Sequence, residues 1–160
     1  MPVSRAAARI VIDPSVAIKW YIPEDHADLA VELKQWLLEG PHRVIVPPLF
    51  FDEMANILWK KETLRKEHSP RTSQEILWEI LRLPLHVYLD RHEMLPKAVE
   101  VARAGRVSVY DAIYVATAIQ NQAVFITADE RLVRRLAPTS FATAVLSLEN
   151  WTKLKSDRFD

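Results

Sequence analysis

The chain contains no cysteine, which removes disulfides and thiolate metal sites and leaves oxygen or imidazole as the only ligands for a metal. Only 2 of its 160 residues are glycine, too few for the loops that cradle phosphates. There is accordingly no P-loop, no G-x-G-x-x-G and no G-x-S-x-G, and most nucleotide-binding readings go with them. No apolar run approaches the length needed to cross a bilayer. The opening MPVSRAAAR lacks the apolar core of a secretory signal, so the expected setting is cytoplasmic with no membrane partner. Neither sign of charge is in excess: 21 basic residues face 21 acidic ones, so any affinity for nucleic acid has to be local. The histidines, His26, His42, His68, His86 and His92, are scattered, with no pair at metal-ligand spacing.

What is present is a globular composition, 49% hydrophobic and 26% charged, in a length that fits one domain over residues 1–160. Residues 1–8 and 153–160 are expected to be flexible ends. The organising stretch is RIVIDPSVAIKW, residues 9–20, in which the β-branched run Ile10–Ile12 stops at Asp13. A run without polar alternation suits a buried parallel strand, and Asp13-Pro14 suits an N-cap followed by the first helical residue. Further along, the pattern predicts helices over 24–39, 49–66, 70–83, 93–104, 108–120 and 129–136. Strands are expected at 44–46, 85–89, 124–126 and 144–146. Such alternation implies right-handed crossovers and a three-layer α/β/α sandwich around a parallel sheet of four to five strands.

Four acids stand out by their settings. Asp13 lies at a strand's carboxyl end, the edge where open α/β sheets bind ligands. Asp111 interrupts a stretch, Val109–Ile119, in which every other residue is apolar, aromatic or threonine; with Ser108 it also fits a capping box. Asp129 follows the strand ending at Thr127, and Thr127 with Glu130 makes a second candidate capping box. Glu53 shares a helical face with Phe50, Met54 and Ile57 and precedes Asn56 by one turn, while Asp52 is its solvated neighbour. Each acid alone is as well explained by capping or solvation. Together, at one end of a parallel sheet, they would repel one another unless a hard divalent cation relieved them, and all-oxygen ligation is the preference of Mg²⁺ or Mn²⁺.

IDPSVAIKW, the Glu53/Asn56 pair, YDAIYVATA and TADERL, in that order, resemble the PIN domain, most closely the VapC-type toxins of prokaryotic toxin–antitoxin pairs. The resemblance spans nearly the whole chain. It implies a Mg²⁺- or Mn²⁺-dependent ribonuclease whose acidic quartet falls on Asp13, Glu53, Asp111 and Asp129. Ser15 and Thr127 match the accompanying hydroxyls and Asn56 a pocket-lining polar residue; Pro14 stands where the family has a small residue. The resemblance further implies a homodimer, an antitoxin whose C-terminal segment blocks the groove, and products with a 3′-hydroxyl and a 5′-phosphate. RNA approaching an acidic pocket needs flanking cations, and Lys60, Lys61, Arg65, Lys66 and Arg71 form the most basic stretch. A solvated helix face is the competing account of that run.

Two other readings compete. A PIN-like fold kept only for binding RNA or protein would carry the same motifs without turnover. A receiver-type signalling domain would use Asp90 as phosphoacceptor, but would also need paired acids after the first strand and a lysine ending the last.

Overall fold

The computed structural model describes residues 7–158, and the elements follow from the local sequence. Arg9–Ile12 forms β1, with Ile10, Val11 and Ile12 fully buried. Asp13 ends it and caps α1 (Pro14–Ala17), accepting from the Val16 amide. A 3-10 turn follows, then α2 (Ala27–Glu39), β2 (Arg43–Val46) and α3 (Leu49–Trp59). Next come α4 (Pro70–Arg82), capped by Ser69, the two-residue strand β3 (His86–Val87), and α5 (Arg91–Gly105), capped by Asp90. Ser108 caps α6 (Val109–Gln120), which leads to β4 (Val124–Thr127), and Asp129 caps α7 (Glu130–Leu136). The described chain closes with β5 (Val145–Ser147) and α8 (Trp151–Arg158).

Among the described residues the five strands form one wholly parallel sheet in the order β3-β2-β1-β4-β5. Ile10 lies beside both Val44 and Val124, which makes β1 the central, doubly covered strand. Right-handed crossovers, the rule between parallel strands, put connections running toward β3 and those running toward β5 on opposite faces. The packing agrees: α3 rests on α1 and α4, whereas α6 lies across β1, β2 and β4 with α5 and then α7 beside it. The all-apolar surround of α6 is thereby explained, since residues 112–118 are buried without interruption.

Several expected boundaries differ, each for a physical reason. The helix expected to reach residue 66 leaves α geometry after Trp59 in a wider π turn, Lys60–Leu64, closed by the Arg65 amide on the Lys60 carbonyl at 3.1 Å. The helix expected from residue 24 begins at Ala27, because His26 sits in the left-handed region with φ 62°. The third strand shrinks to two residues at the sheet edge. Ala8 is buried, its amide donating to His42 Nδ1 at 3.1 Å, and α8 docks through Trp151, whose ring is 5.8 Å from that of Trp36. Of the expected flexible ends, residues 1–6 and 159–160 lie outside the described residues.

Candidate active site

The chain builds β1, β2 and β3 in one direction and then returns to lay β4 on the other side of β1. At such a reversal the two outgoing loops diverge and leave a crevice at the carboxyl ends of the strands. Asp13 and Thr127 face each other there. Thr127 Oγ1 donates to Asp13 Oδ2 at 2.6 Å, and Ser15 Oγ donates to Oδ1 at 2.5 Å. Both hydroxyls are fixed in turn, Ser15 accepting from the Ala128 amide at 3.0 Å and Thr127 from the Asp129 amide at 3.0 Å. Both positions inferred from the sequence therefore serve the same carboxylate. Thr127 is not a helix cap, however: Asp129 caps α7 itself, Oδ1 accepting from the Leu132 amide at 3.0 Å.

Asp13 is only 8% exposed, and burial pushes its pKa up to about 6, against the lowering effect of the hydrogen bonds from Ser15, Thr127 and Val16; the charge on Glu53 adds to the rise. Glu53, half-buried on α3, accepts a short hydrogen bond from the Tyr114 hydroxyl of α6. Its pKa is also raised, by burial first, with the Tyr114 bond opposing and the charges on Asp111 and Asp52 adding. Tyr114 is held far above the ordinary phenol range by burial and by the carboxylates of Glu53, Asp13 and Asp111. The charge on Glu53 thus acts on Asp13, that on Asp111 acts on Glu53, and all three act on this phenol. Asp111 sits in the first turn of α6, its Oδ2 accepting from Ser108 at 2.8 Å. Asp129 joins Asp111 in the wall of a half-open pocket of about 200 Å³. Asn56 is exposed one turn beyond Glu53.

Among the described residues no three carboxylates or imidazoles converge closely enough to hold one ion between them. The reason is local, since Asp13, Glu53, Asp111 and Asp129 are each turned toward their own hydroxyl or amide donor. The donor set still suits a hard cation. Mg²⁺ keeps several waters and takes only one or two carboxylates, and among the described residues no lysine or arginine forms an ion pair with any of these four acids.

The basic stretch expected to meet RNA is largely committed elsewhere. The π turn swings Lys61 inward to 6% exposure, with Nζ 2.6 Å from Glu24 and 2.9 Å from Glu67. A cation held by two carboxylates has no free charge for a phosphate, so Lys61 leaves the set of RNA-contact candidates. Arg65 pairs with Glu67 at 3.6 Å and Arg71 with Glu75 at 2.8 Å, while Lys60 and Lys66 are exposed. The receiver reading fails on topology, because β2 separates β3 from β1 and Asp90 is an exposed cap at the edge. Tyr114, absent from the sequence-derived set, does carry a signal there: a tyrosine on a helix buried all round needs a partner for its hydroxyl.

Comparison with known proteins agrees with this geometry. The sequence signature of the PIN domain matches residues 10–137. The chain is 30% identical over 130 residues to Ribonuclease VapC3 of Pyrobaculum aerophilum, covering 79% of this chain and 94% of that one. The crystal structure of PAE2754 from the same organism superposes with a TM-score of 0.64 at 19% identity, covering 96% of this chain and 93% of the other. A toxin–antitoxin complex from Klebsiella pneumoniae superposes with a TM-score of 0.56 at 15% identity, covering 89% and 98%. At those identities the two structures speak for the fold alone. With the signature running from β1 to just beyond α7 and a relative at 30% identity over most of the chain, this protein belongs to the PIN domain family.

Proposed function

We propose that this chain is a divalent-metal-dependent endoribonuclease, acting in the cytoplasm as the toxin of a toxin–antitoxin pair. The observation that carries it is the Asp13 carboxylate, buried at the strand-order reversal, oriented by two hydroxyls and lacking any cationic partner among the described residues. The likeness to a protein named as a ribonuclease gives the reaction class, and the fold shared with a toxin–antitoxin complex supports an antitoxin partner. Mg²⁺ or Mn²⁺ is the metal in this reading, and a homodimer the working form.

Asp13 and Asp111 would hold the ion directly, with Glu53 and Asp129 as further ligands or as acceptors orienting its waters. When bound, the ion supplies Lewis acidity to a backbone phosphate and makes a water nucleophilic near neutral pH. Ser15 and Thr127 keep both Asp13 oxygens in place, so little reorganisation is needed when charge develops. Tyr114 fixes the rotamer of Glu53.

The test is cleavage of fluorescent single-stranded RNA with Mg²⁺ or Mn²⁺, with EDTA, and with Asp13→Ala and Asp111→Asn prepared identically. Metal-dependent cleavage absent from both variants is the expected result. Equal behaviour of all three proteins would leave a binding module and end the enzyme reading. Tyr114→Phe keeps the ring but removes the donor to Glu53. Metal affinity read by Mn²⁺ titration is expected to weaken by about 10–100-fold, as losses of such outer contacts do. Unchanged Mn²⁺ affinity would make the Tyr114–Glu53 bond purely structural.

A further inference from the structure

The pocket holding Asp111 and Asp129 has a second chemistry. Its remaining wall includes Arg106, Arg131 and Arg135. Two of these are one turn apart on α7 and so share a face. The third comes from the α5–α6 connection, where Arg106 adopts φ 51° directly after Gly105. Gly105 is what lets that connection approach α7, since a Cβ there would lie 2.7 Å from Leu136 Cδ2. Arg135 ties the two segments together by donating from Nη1 to the Arg106 carbonyl.

Three guanidiniums beside two carboxylates would ordinarily pair with them. Among the described residues none of the three has a carboxylate oxygen within 4.0 Å. All three arginines are exposed, and their charges remain free for an incoming anion. At about 200 Å³ the space is smaller than the roughly 300–1,000 Å³ of sites that enclose a whole small molecule. It suits a single tetrahedral group entering from an extended chain, and the planar fork of arginine matches phosphate oxygens in pairs.

We propose that Arg106 and Arg131, with Arg135 bracing them, form a subsite for a backbone phosphate of single-stranded RNA adjacent to the one cleaved. The proposal rests on the nuclease reading of the neighbouring acids. It moves the RNA path from the lysine-rich end of α3 to the mouth between α5 and α7. Arg106 and Arg131 are positioning residues: they fix the register of the strand over Asp111 and Asp129 and take no part in bond breaking.

The experiment is fluorescence anisotropy of a short labelled oligouridylate with EDTA present, so that no turnover intrudes, over a series of salt concentrations. It compares the full chain, R106Q/R131Q, R131K and R43Q, the last altering an exposed arginine at the amino end of β2. Arg135 is left intact because its bond to the Arg106 carbonyl also serves the fold. R106Q/R131Q is expected to bind on the order of tenfold or more weakly, from the loss of charge-assisted hydrogen bonds. Its dependence of log affinity on log salt should flatten by about 0.7 per arginine removed. R131K should fall between, having the charge without the fork, and R43Q should bind as the unaltered chain does. With metal restored, R106Q/R131Q should raise KM far more than it lowers kcat. Unchanged RNA affinity in R106Q/R131Q overturns the proposal, and so does an equal loss in R43Q, which would mean diffuse attraction only. Arginine-dependent binding without any metal-dependent cleavage would remove the nuclease reading and leave the subsite; cleavage with R106Q/R131Q indistinguishable from the unaltered chain would do the reverse.

Discussion

Asp13→Asn is expected to abolish RNA cleavage while making the metal-free protein more stable. The carboxyl group is buried, and its pKa rises from 3.8 in the unfolded reference to about 6 in the fold. Between about pH 4 and pH 6 the native state therefore binds more protons than the unfolded chain, so stability falls as pH rises through that window and the full penalty persists above it. At about 1.4 kcal/mol per pKa unit, the charge costs roughly 3 kcal/mol at neutral pH. Asparagine carries no such charge, and its amide can still serve the Ser15 and Thr127 hydroxyls, one as acceptor and the other as donor. Thermal melts in EDTA at pH 7 should show D13N several degrees above the unaltered protein, with the gap closing below about pH 4. Added Mg²⁺ or Mn²⁺ should reverse the order, because only the carboxylate gains from the ion. Cleavage should fall by on the order of 10³. A variant that melts lower in EDTA at pH 7, or that cleaves RNA as fast as the unaltered protein, contradicts the assignment of Asp13.

The largest loss of stability is expected at Phe125. This ring is fully buried in β4, next to the central strand, and stacks on Tyr114 at 5.6 Å between centroids with the planes 18° apart. Truncation to alanine removes a large buried surface and leaves a cavity that rigid parallel strands cannot close, a cost of about 3–5 kcal/mol. The site should suffer with it, since Tyr114 is the donor that fixes Glu53. Urea denaturation should give a lower midpoint at unchanged slope for Phe125→Ala, with a smaller loss for Phe125→Leu. A cost below about 1 kcal/mol would mean that this part of the core is loosely packed.

The two residues illustrate different kinds of legibility. Phe125 was readable as core because a short apolar strand announces itself within a few residues. Asp13 was readable as a candidate because it interrupts such a strand at its functional edge. Neither pattern says what lies opposite. Tyr114 meets Glu53 across 61 residues of chain, and Thr127 meets Asp13 across 114. The fate of the basic stretch was equally hidden: nothing within residues 60–71 shows that a π turn will carry Lys61 onto Glu24.

The sequence by itself determined the alternation of strands and helices, the caps at Asp13, Ser69 and Ser108, the lack of any thiolate and the family motifs. These depend on interactions within one or two turns of chain, where propensity and patterning act directly. Only the tertiary structure decided that β4 lies beside β1, that Thr127 and Ser15 clamp one carboxylate, and that Trp151 of α8 packs beside Trp36. It alone brought Arg106 to Arg135. Those outcomes follow from strand order and helix packing, whose energies are summed over contacts distant in sequence and leave no local mark on any one stretch of it.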